Sequence, residues 1–245
     1  MLLFGYMAII AIGVVLGSMG AGGSMLAIPV LVYAFNIDIE LASAYSLFIV
    51  GVTSFTGAVL KGKEQLVSFR AAMLFGVPSA LSAFLCRTWI IDFIPEPALM
   101  ILFAVLMIIS SLRMLVNKTP AVPSARVHVL ITLGLVVGAI TSLAGVGGGF
   151  LIVPMLTIFG GLSFRIAAGT SLFIIASNCL VAFCGDVLNR HIDWNFILPL
   201  AALAIAGLIG GYWWHDKTQS RWSWQHAFAW FTMLIGVTML VTVAA

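Results

Sequence analysis

The chain has 245 residues, of which 62% are hydrophobic and only 8% are charged, with a net charge of +3 and a mean hydropathy of +1.19. Soluble globular domains carry roughly 25% charged residues, so this composition excludes a soluble protein and predicts an all-α polytopic membrane protein. The basic residues are spread over many short polar segments, which argues against a surface for nucleic acid.

Charged segments divide the chain into eight apolar runs. The runs lie at about 1–37, 41–60, 71–86, 97–112, 129–164, 166–185, 194–214 and 222–245. Six of them suit a single transmembrane helix, because about 20 residues cross the hydrocarbon core. The other two, 1–37 and 129–164, are too long for one span and too short for two.

Each long run therefore predicts a helical hairpin with one long and one short arm. A continuous helix over 129–164 would extend roughly 54 Å, well beyond a hydrocarbon core about 30 Å thick. The predicted arms are helices at 3–19 and 24–35 in the first run, and at 127–144 and 148–160 in the second.

Glycines mark the turn of each hairpin. The second turn holds Gly145, Gly147, Gly148 and Gly149, and the first holds Gly20, Gly22 and Gly23, followed by Ser24. Each Gly inside a helix costs roughly 0.5–1 kcal/mol relative to Ala, so these clusters predict breaks in the helix. Non-helical backbone at bilayer depth is tolerated only where it faces protein or a watery cavity, so both breaks predict a binding site.

The two hairpins belong to a duplicated unit. Gly145 follows Gly20 by 125 residues, Pro154 follows Pro29 by 125, and Ser171 follows Ser46 by 125. We interpret the chain as one transmembrane domain, 1–245, in which repeat 1 (1–116) and repeat 2 (127–245) are joined by a linker at 117–126. Each repeat is a glycine-broken, re-entrant-like helical hairpin plus three transmembrane helices.

The distribution of Lys and Arg indicates the topology. If each glycine run returns to its starting side, nine of the eleven basic residues are cytoplasmic, and only Arg87 and Arg190 are outside. If the runs cross the membrane, the division becomes seven to four. The returning arrangement predicts an inverted repeat with a cytoplasmic linker and both termini outside the cytoplasm.

The chemistry expected of the turns is anion binding. Helix starts that follow glycine turns expose backbone N–H groups at a positive helix end, and two such ends near the midplane would hold a small anion. The apolar runs contain no Lys, Arg, Asp or Glu, so no buried cation is expected beside them. Side-chain donors that could line the site are Ser24, Ser46, Thr170, Ser171 and Asn178, with Ser142 and Tyr45 as neighbours; alternatively, such hydroxyls bond their own helices.

Other glycines fit close helix packing instead of binding. The pairs Gly13/Gly17, Gly134/Gly138 and Gly207/Gly211 have the small-xxx-small spacing of packed transmembrane helices. The four histidines lack metal-ligand spacing, and the three cysteines are expected to serve as small packing residues. No catalytic residue, metal site or cofactor is predicted.

The duplicated motif, at 20–29 and 145–154, resembles that of the sulfite exporter family TauE/SafE. The pattern is Gly-x-Gly-Gly-(Gly/Ser)-x-Leu-x-(Ile/Val)-Pro, and Ser24 stands in the first copy where the second has Gly149. The resemblance covers nearly the whole chain. It implies export of sulfite, or of organosulfonates such as sulfoacetate, across a bacterial-type inner membrane.

The residues leave several alternatives open. An anion channel, or a transporter of another small anion, would use the same turns, whereas cation transport is weaker because helix N-termini attract the opposite charge. An intramembrane enzyme would need a nucleophile and a base at membrane depth, which the sequence does not offer. The expected partners are a small anionic substrate and membrane lipid, and a homodimer stays open.

Overall fold

The computed structural model describes residues 2–20, 24–89, 127–143, 149–189 and 192–217, with single positions between 101 and 115 and between 226 and 238. The elements in these ranges are α-helices. In chain order they are α1 (Leu2–Met19), α2 (Ser24–Phe35), α3 (Ile39–Lys63), α4 (Phe69–Trp89), α5 (Val127–Leu143), α6 (Gly149–Ile158), α7 (Phe164–Asn189) and α8 (Trp194–Lys217). The predicted spans at 97–112 and 222–245 lie largely outside the described residues.

Four helices are long and apolar enough to cross a membrane. They are α3, α4, α7 and α8, with apolar segments at Leu41–Lys63, Phe69–Cys86, Phe164–Val187 and Trp194–Trp213. These segments correspond to four of the six predicted single spans, which confirms an all-α protein with several membrane-spanning candidates. The short helices α2 and α6 have 12 and 10 residues, and at 1.5 Å per residue neither is long enough to cross a core about 30 Å thick.

The helix ends follow local sequence signals. Asn36, directly after α2, and Gly161, three residues after the end of α6, have a left-handed backbone, with φ of 56° and 64°. The next residues donate back to the helix, from Ile37 N–H to the Leu31 carbonyl and from Leu162 N–H to the Leu156 carbonyl. These bonds satisfy carbonyls that a helix end leaves unpaired, so both short helices end by the same device.

Small residues determine which faces of the apolar helices pack. A side chain at Gly13 or Gly17 of α1 would overlap the carbonyl oxygen of Ala204 or Leu208 on α8. On α5, a side chain at Gly138 would overlap the carbonyl oxygen of Ser79 on α4. Because lipid is as apolar as a leucine face, such close backbone contact is what drives helices together in a membrane. The structure confirms the packing role predicted for these glycines.

The first helix of each half of the chain packs against a helix of the other half. The first helix of the predicted repeat 1, α1, packs against α8, and the first helix of the predicted repeat 2, α5, packs against α4. These contacts correspond across the 125-residue offset, since Gly138 follows Gly13 by 125 and Ala204 follows Ser79 by 125. The helix starts follow the same offset, because α5, α6, α7 and α8 begin 125 residues after α1, α2, α3 and α4, respectively.

Helices α3 and α7 form the centre of the bundle and run in opposite directions. Gly51 of α3 lies against Cys179 and Leu180 of α7, whereas Gly57, further along α3, lies against Leu172, earlier on α7. Fully buried side chains such as Ile49 surround this crossing. Helices α3 and α7, which begin 125 residues apart, are therefore antiparallel where they meet.

The two short helices differ in burial. Leu151, Ile152, Val153 and Leu156 of α6 are all fully buried, so this helix is enclosed by protein on every side. Helix α2 buries Ala27 and Leu31 but leaves most of the Tyr33 side chain exposed.

Candidate functional site

The described part of the first glycine turn is Gly20, which ends α1 in a left-handed conformation with φ of 72°. Its N–H donates to the Leu16 carbonyl at 2.9 Å. A Cβ at this position would lie 2.6 Å from the Ala168 carbonyl oxygen on α7 and 2.7 Å from the Ala168 Cβ. Both the backbone conformation and the space therefore require glycine here.

Ser171 fastens this turn to α7. Its hydroxyl lies 2.9 Å from the Gly20 carbonyl oxygen and 2.8 Å from the Ala168 carbonyl oxygen, and donates to this pair of acceptors. The side chain is fully buried. The hydroxyl thus combines the two roles considered from the sequence, because it bonds its own helix and also contacts the glycine turn.

These contacts locate Gly20 along the length of α7. Ala168 and Ser171 are the fifth and eighth residues of α7, a helix of 26 residues. Gly20, the described residue of the turn, therefore packs against the first third of α7.

Thr170, beside Ser171, holds the start of α4. Its Oγ1 accepts a hydrogen bond of 3.0 Å from the N–H of Ser68, the residue before α4. In the equivalent place 125 residues away, the Tyr45 hydroxyl accepts a hydrogen bond of 3.2 Å from the N–H of Asp193, the residue before α8. Both Thr170 and Tyr45 thus anchor the first turn of a helix from the other unit.

The residues before α4 and α8 also cap these helices. Asp193 Oδ1 accepts from the N–H groups of Asn195 and Phe196 at 3.0 and 3.3 Å, and Ser68 Oγ accepts from Ala71 N–H at 3.4 Å. Side-chain caps of this kind satisfy N–H groups that a helix start leaves unpaired.

Asn178 lies deeper in the bundle, near the middle of α7. Its Nδ2 donates to Ser79 Oγ on α4 at 2.8 Å, and the side chain is buried. Its Oδ1 has no hydrogen-bond partner among the described residues. Ser46 is also buried on α3, 125 residues before Ser171.

Most of the remaining predicted site residues belong to the two glycine clusters, of which only Gly20 and the flanking helix starts are described. Helix α2 begins at Ser24 and α6 begins at Gly149, each directly after its glycine cluster. Gly22, Gly23, Gly145, Gly147 and Gly148, and the Ser24 side chain, lie outside the described residues. Neither helix has an acidic residue in its first turn, so no carboxylate there opposes an anion.

One residue at the end of α3 differs from the sequence expectation. Lys61, expected in a loop at 61–70 and so outside any buried environment, belongs to α3, which continues to Lys63. Its side chain is only 7% exposed, and its Nζ lies 4.9 Å from the centre of the Tyr212 ring on α8. The expectation of no buried cation was therefore wrong. The long aliphatic stem of Lys allows it to be buried at the end of an apolar helix.

These features define a class of protein. Four described helices are apolar and of membrane-spanning length, and Gly20 at the end of α1 packs against one of them, as expected of a multi-pass α-helical membrane protein. A family model described as sulfite exporter TauE/SafE matches residues 6–239. The chain belongs to this family.

Curated relatives carry transporter names. The chain is 29% identical over 209 residues to a probable membrane transporter protein of Xylella fastidiosa, an alignment covering 82% of this chain and 78% of the relative. It is 24% identical over 208 residues to the probable membrane transporter protein YdhB of Bacillus subtilis, covering 82% and 84%. A probable membrane transporter protein of Haemophilus influenzae is 28% identical over 197 residues, covering 76% and 70%. No solved structure matches the chain significantly.

Proposed function

We propose that this membrane transporter exports a small sulfur oxyanion or organosulfonate, such as sulfite or a sulfoacetate-like compound, by alternating access. The observation that carries the proposal is the left-handed Gly20, held against α7 four residues before α2 begins. Sulfur enters through the family, whose description names sulfite export.

The anion would be held by backbone N–H groups at the starts of α2 and α6. A helix start carries a partial positive charge, and a glycine turn allows a ligand to approach the N–H groups closely. Ser46, Thr170, Ser171 and Asn178 are buried, and Ser171 bonds the Gly20 carbonyl; in this proposal they line the site.

Alternating access would use two units related by inversion. The antiparallel α3 and α7 at the centre, and the exchanged pairs α1 with α8 and α4 with α5, support this arrangement. Under the returning topology both termini are extracytoplasmic, and the protein resides in the inner membrane.

The membrane potential would favour export. A negative interior lowers the free energy of anion exit by about 2.3 kcal/mol per charge per 100 mV, so export could run without a coupled ion, and coupling to Na⁺ or to a proton of the substrate stays open. An anion channel is the alternative function, and it differs in showing electrodiffusive current instead of saturable counterflow.

Uptake of radiolabelled sulfite into proteoliposomes tests the proposal, with sulfoacetate, sulfate and chloride as competitors. We expect saturable uptake that sulfoacetate blocks. The Gly20→Ala variant should lose most of this uptake, because the added Cβ displaces the turn from Ala168.

The matched control is Gly185→Ala, since a Cβ at Gly185 meets nothing within 4 Å. It should transport like the wild type. If folded wild-type protein shows no sulfite or sulfoacetate uptake, the proposed substrate is wrong; if Gly20→Ala transports normally, the turn is not the site.

A further inference from the structure

We propose that five aromatic side chains form the gate at the predicted extracytoplasmic end of the transporter. They lie where α3 begins, α7 ends and α8 begins, and this aromatic gate consists of Tyr45, Phe48, Phe183, Trp194 and Phe196. The inference rests on the two-unit arrangement of the proposed function and not on the identity of the anion. The gate opens when the start of α8 moves away from α3.

Ring contacts within the aromatic gate join three helices. Phe48 of α3 lies 5.0 Å from Phe183 of α7 and 5.5 Å from Trp194 of α8, measured between ring centroids. Tyr45 of α3 lies 5.8 Å from Phe196 of α8. Tyr45 and Phe183 are buried, so these rings fill the space between the helices. Each ring contact is weak, and side chains change rotamer without breaking backbone hydrogen bonds, so closure by rings is reversible.

The opposite end of the bundle is closed differently. The 125-residue offset gives the equivalent of each gate residue in the other unit, and only two of the five equivalents are aromatic. In the same order as the gate residues, they are Thr170, Phe173, Ala58, Phe69 and Ala71. At this end a Cβ on Gly169 of α7 would overlap the Leu66 carbonyl oxygen, so backbone lies against backbone. Rings therefore close one end and direct backbone packing closes the other.

Two equivalent hydrogen bonds show the same difference. Thr170 Oγ1 accepts from the Ser68 N–H at the start of α4. The Tyr45 hydroxyl accepts from the Asp193 N–H at the start of α8. The Tyr hydroxyl stands beyond a whole aromatic ring, and α8 packs less extensively against α3 than α4 does against α7. A side chain therefore holds the start of α8 away from α3, and the Tyr45 hydroxyl is the polar latch of the gate.

These differences determine which end opens more readily. In an inverted repeat, transport requires the two ends to open in turn. Opening the aromatic end breaks the Tyr45 hydrogen bond and several ring contacts, whereas opening the other end separates closely packed backbone. The aromatic end therefore opens with the smaller rearrangement.

Modification of Cys179 tests the gate without any transport measurement. This buried residue of α7 lies four residues before Phe183, about one helical turn further into the bundle. With Cys86 and Cys184 replaced by Ala, Cys179 is the only thiol of the chain. In lipid nanodiscs, Tyr45→Phe should raise the rate of its reaction with a hydrophilic maleimide about two- to tenfold, because loss of the latch increases the open population.

Thr170→Val is the matched control, since it removes the equivalent acceptor at the opposite end. It should leave the rate of Cys179 modification unchanged. Equal rates in the two variants would mean that Tyr45 makes only a packing contact, and the inference would be overturned. Faster modification in Tyr45→Phe, in a protein that transports no anion, would refute the proposed function and keep the gate.

A reversible bridge across the gate tests its role in transport. In protein carrying Ala at the three native cysteine positions, Phe48→Cys and Trp194→Cys place thiols on α3 and α8, and a short bifunctional methanethiosulfonate reagent joins them. Bridging should stop uptake of radiolabelled sulfite, and reduction should restore it. The matched control is the pair Tyr6→Cys and Phe35→Cys, whose rings lie 5.3 Å apart on α1 and α2 at the same end of the bundle. Bridging this pair should leave uptake unchanged.

Continued uptake with positions 48 and 194 bridged would overturn the inference, and so would equal inhibition by the control bridge. Absence of uptake by the unbridged wild type would count against the proposed substrate alone, because the Cys179 assay still reports on the gate.

Discussion

Replacing Ser171 by Ala should loosen the first glycine turn without unfolding the protein. The substitution removes a hydroxyl that reaches the Gly20 carbonyl at 2.9 Å and the Ala168 carbonyl at 2.8 Å. The Ala168 contact lies within α7, whereas the Gly20 contact joins residues 151 apart in the chain. The effect should therefore concentrate on the turn.

The magnitude follows from what each carbonyl loses. A buried carbonyl left without its partner costs about 1–3 kcal/mol. The better helix propensity of Ala than Ser returns about 0.5 kcal/mol. The net loss in the free energy of unfolding should be about 0.5–2.5 kcal/mol, which corresponds to a midpoint lower by about 1–10 °C for a chain of this size.

Ser177→Ala is the matched control on the same helix. Among the described residues, the Ser177 hydroxyl bonds only the Phe173 carbonyl, four residues earlier, at 3.0 Å. Bonds of this local kind contribute little to helix stability, so the control should change the midpoint by no more than about 1–2 °C.

Hydrogen exchange read by mass spectrometry, in lipid nanodiscs, would locate the change. We expect faster exchange in peptides covering 16–24 for Ser171→Ala and unchanged exchange for Ser177→Ala. Equal midpoints and equal exchange in the two variants would refute the claim that the Ser171 hydroxyl holds the turn.

Three further predictions concern packing, anchoring and topology. Thr170→Val and Tyr45→Phe each remove an acceptor for a helix-start N–H, so each should lower the free energy of unfolding by about 1–2 kcal/mol in thermal melts, and a difference in sign between them would contradict their equivalence. Gly13→Ala should separate α1 from α8 and lower the midpoint by several degrees, about 5 °C or more, while Gly210→Ala, where a Cβ meets nothing within 4 Å, should not. A cysteine introduced in the linker 117–126 should react with a membrane-impermeant thiol reagent only in inverted vesicles, and labelling of intact cells would refute the returning topology.

Helix positions were predictable because charged residues interrupt the apolar runs. The predicted arm at 24–35 coincides with α2, and the arm at 127–144 agrees with α5 within one residue. The small-xxx-small spacing also revealed packing faces, since close backbone contact depends on small residues alone.

Helix partners were not predictable, for a physical reason. Helix α1 is apolar on all sides, so no hydrophobic stripe indicates that Gly13 faces α8 instead of a neighbour in sequence. The burial of Lys61 was missed because a charge at the end of an apolar run normally belongs to a loop. The role of Ser171 was ambiguous, since one hydroxyl can bond its own helix or a distant carbonyl, and here it reaches both.

The pairing of α1 with α8 constrains how the protein is made. During synthesis α1 enters the bilayer before the other described helices, yet its glycine face meets α8 only after α2 to α7 have been made. Helices α4 and α5 become available to each other much earlier. Assembly should therefore proceed from the α4 and α5 pair outward, with α1 waiting in lipid as an individually stable helix until α8 arrives. A ribosome stalled before α8 would leave Gly13 and Gly17 open to foreign helices, which makes the last described span the step that commits the protein to its own fold.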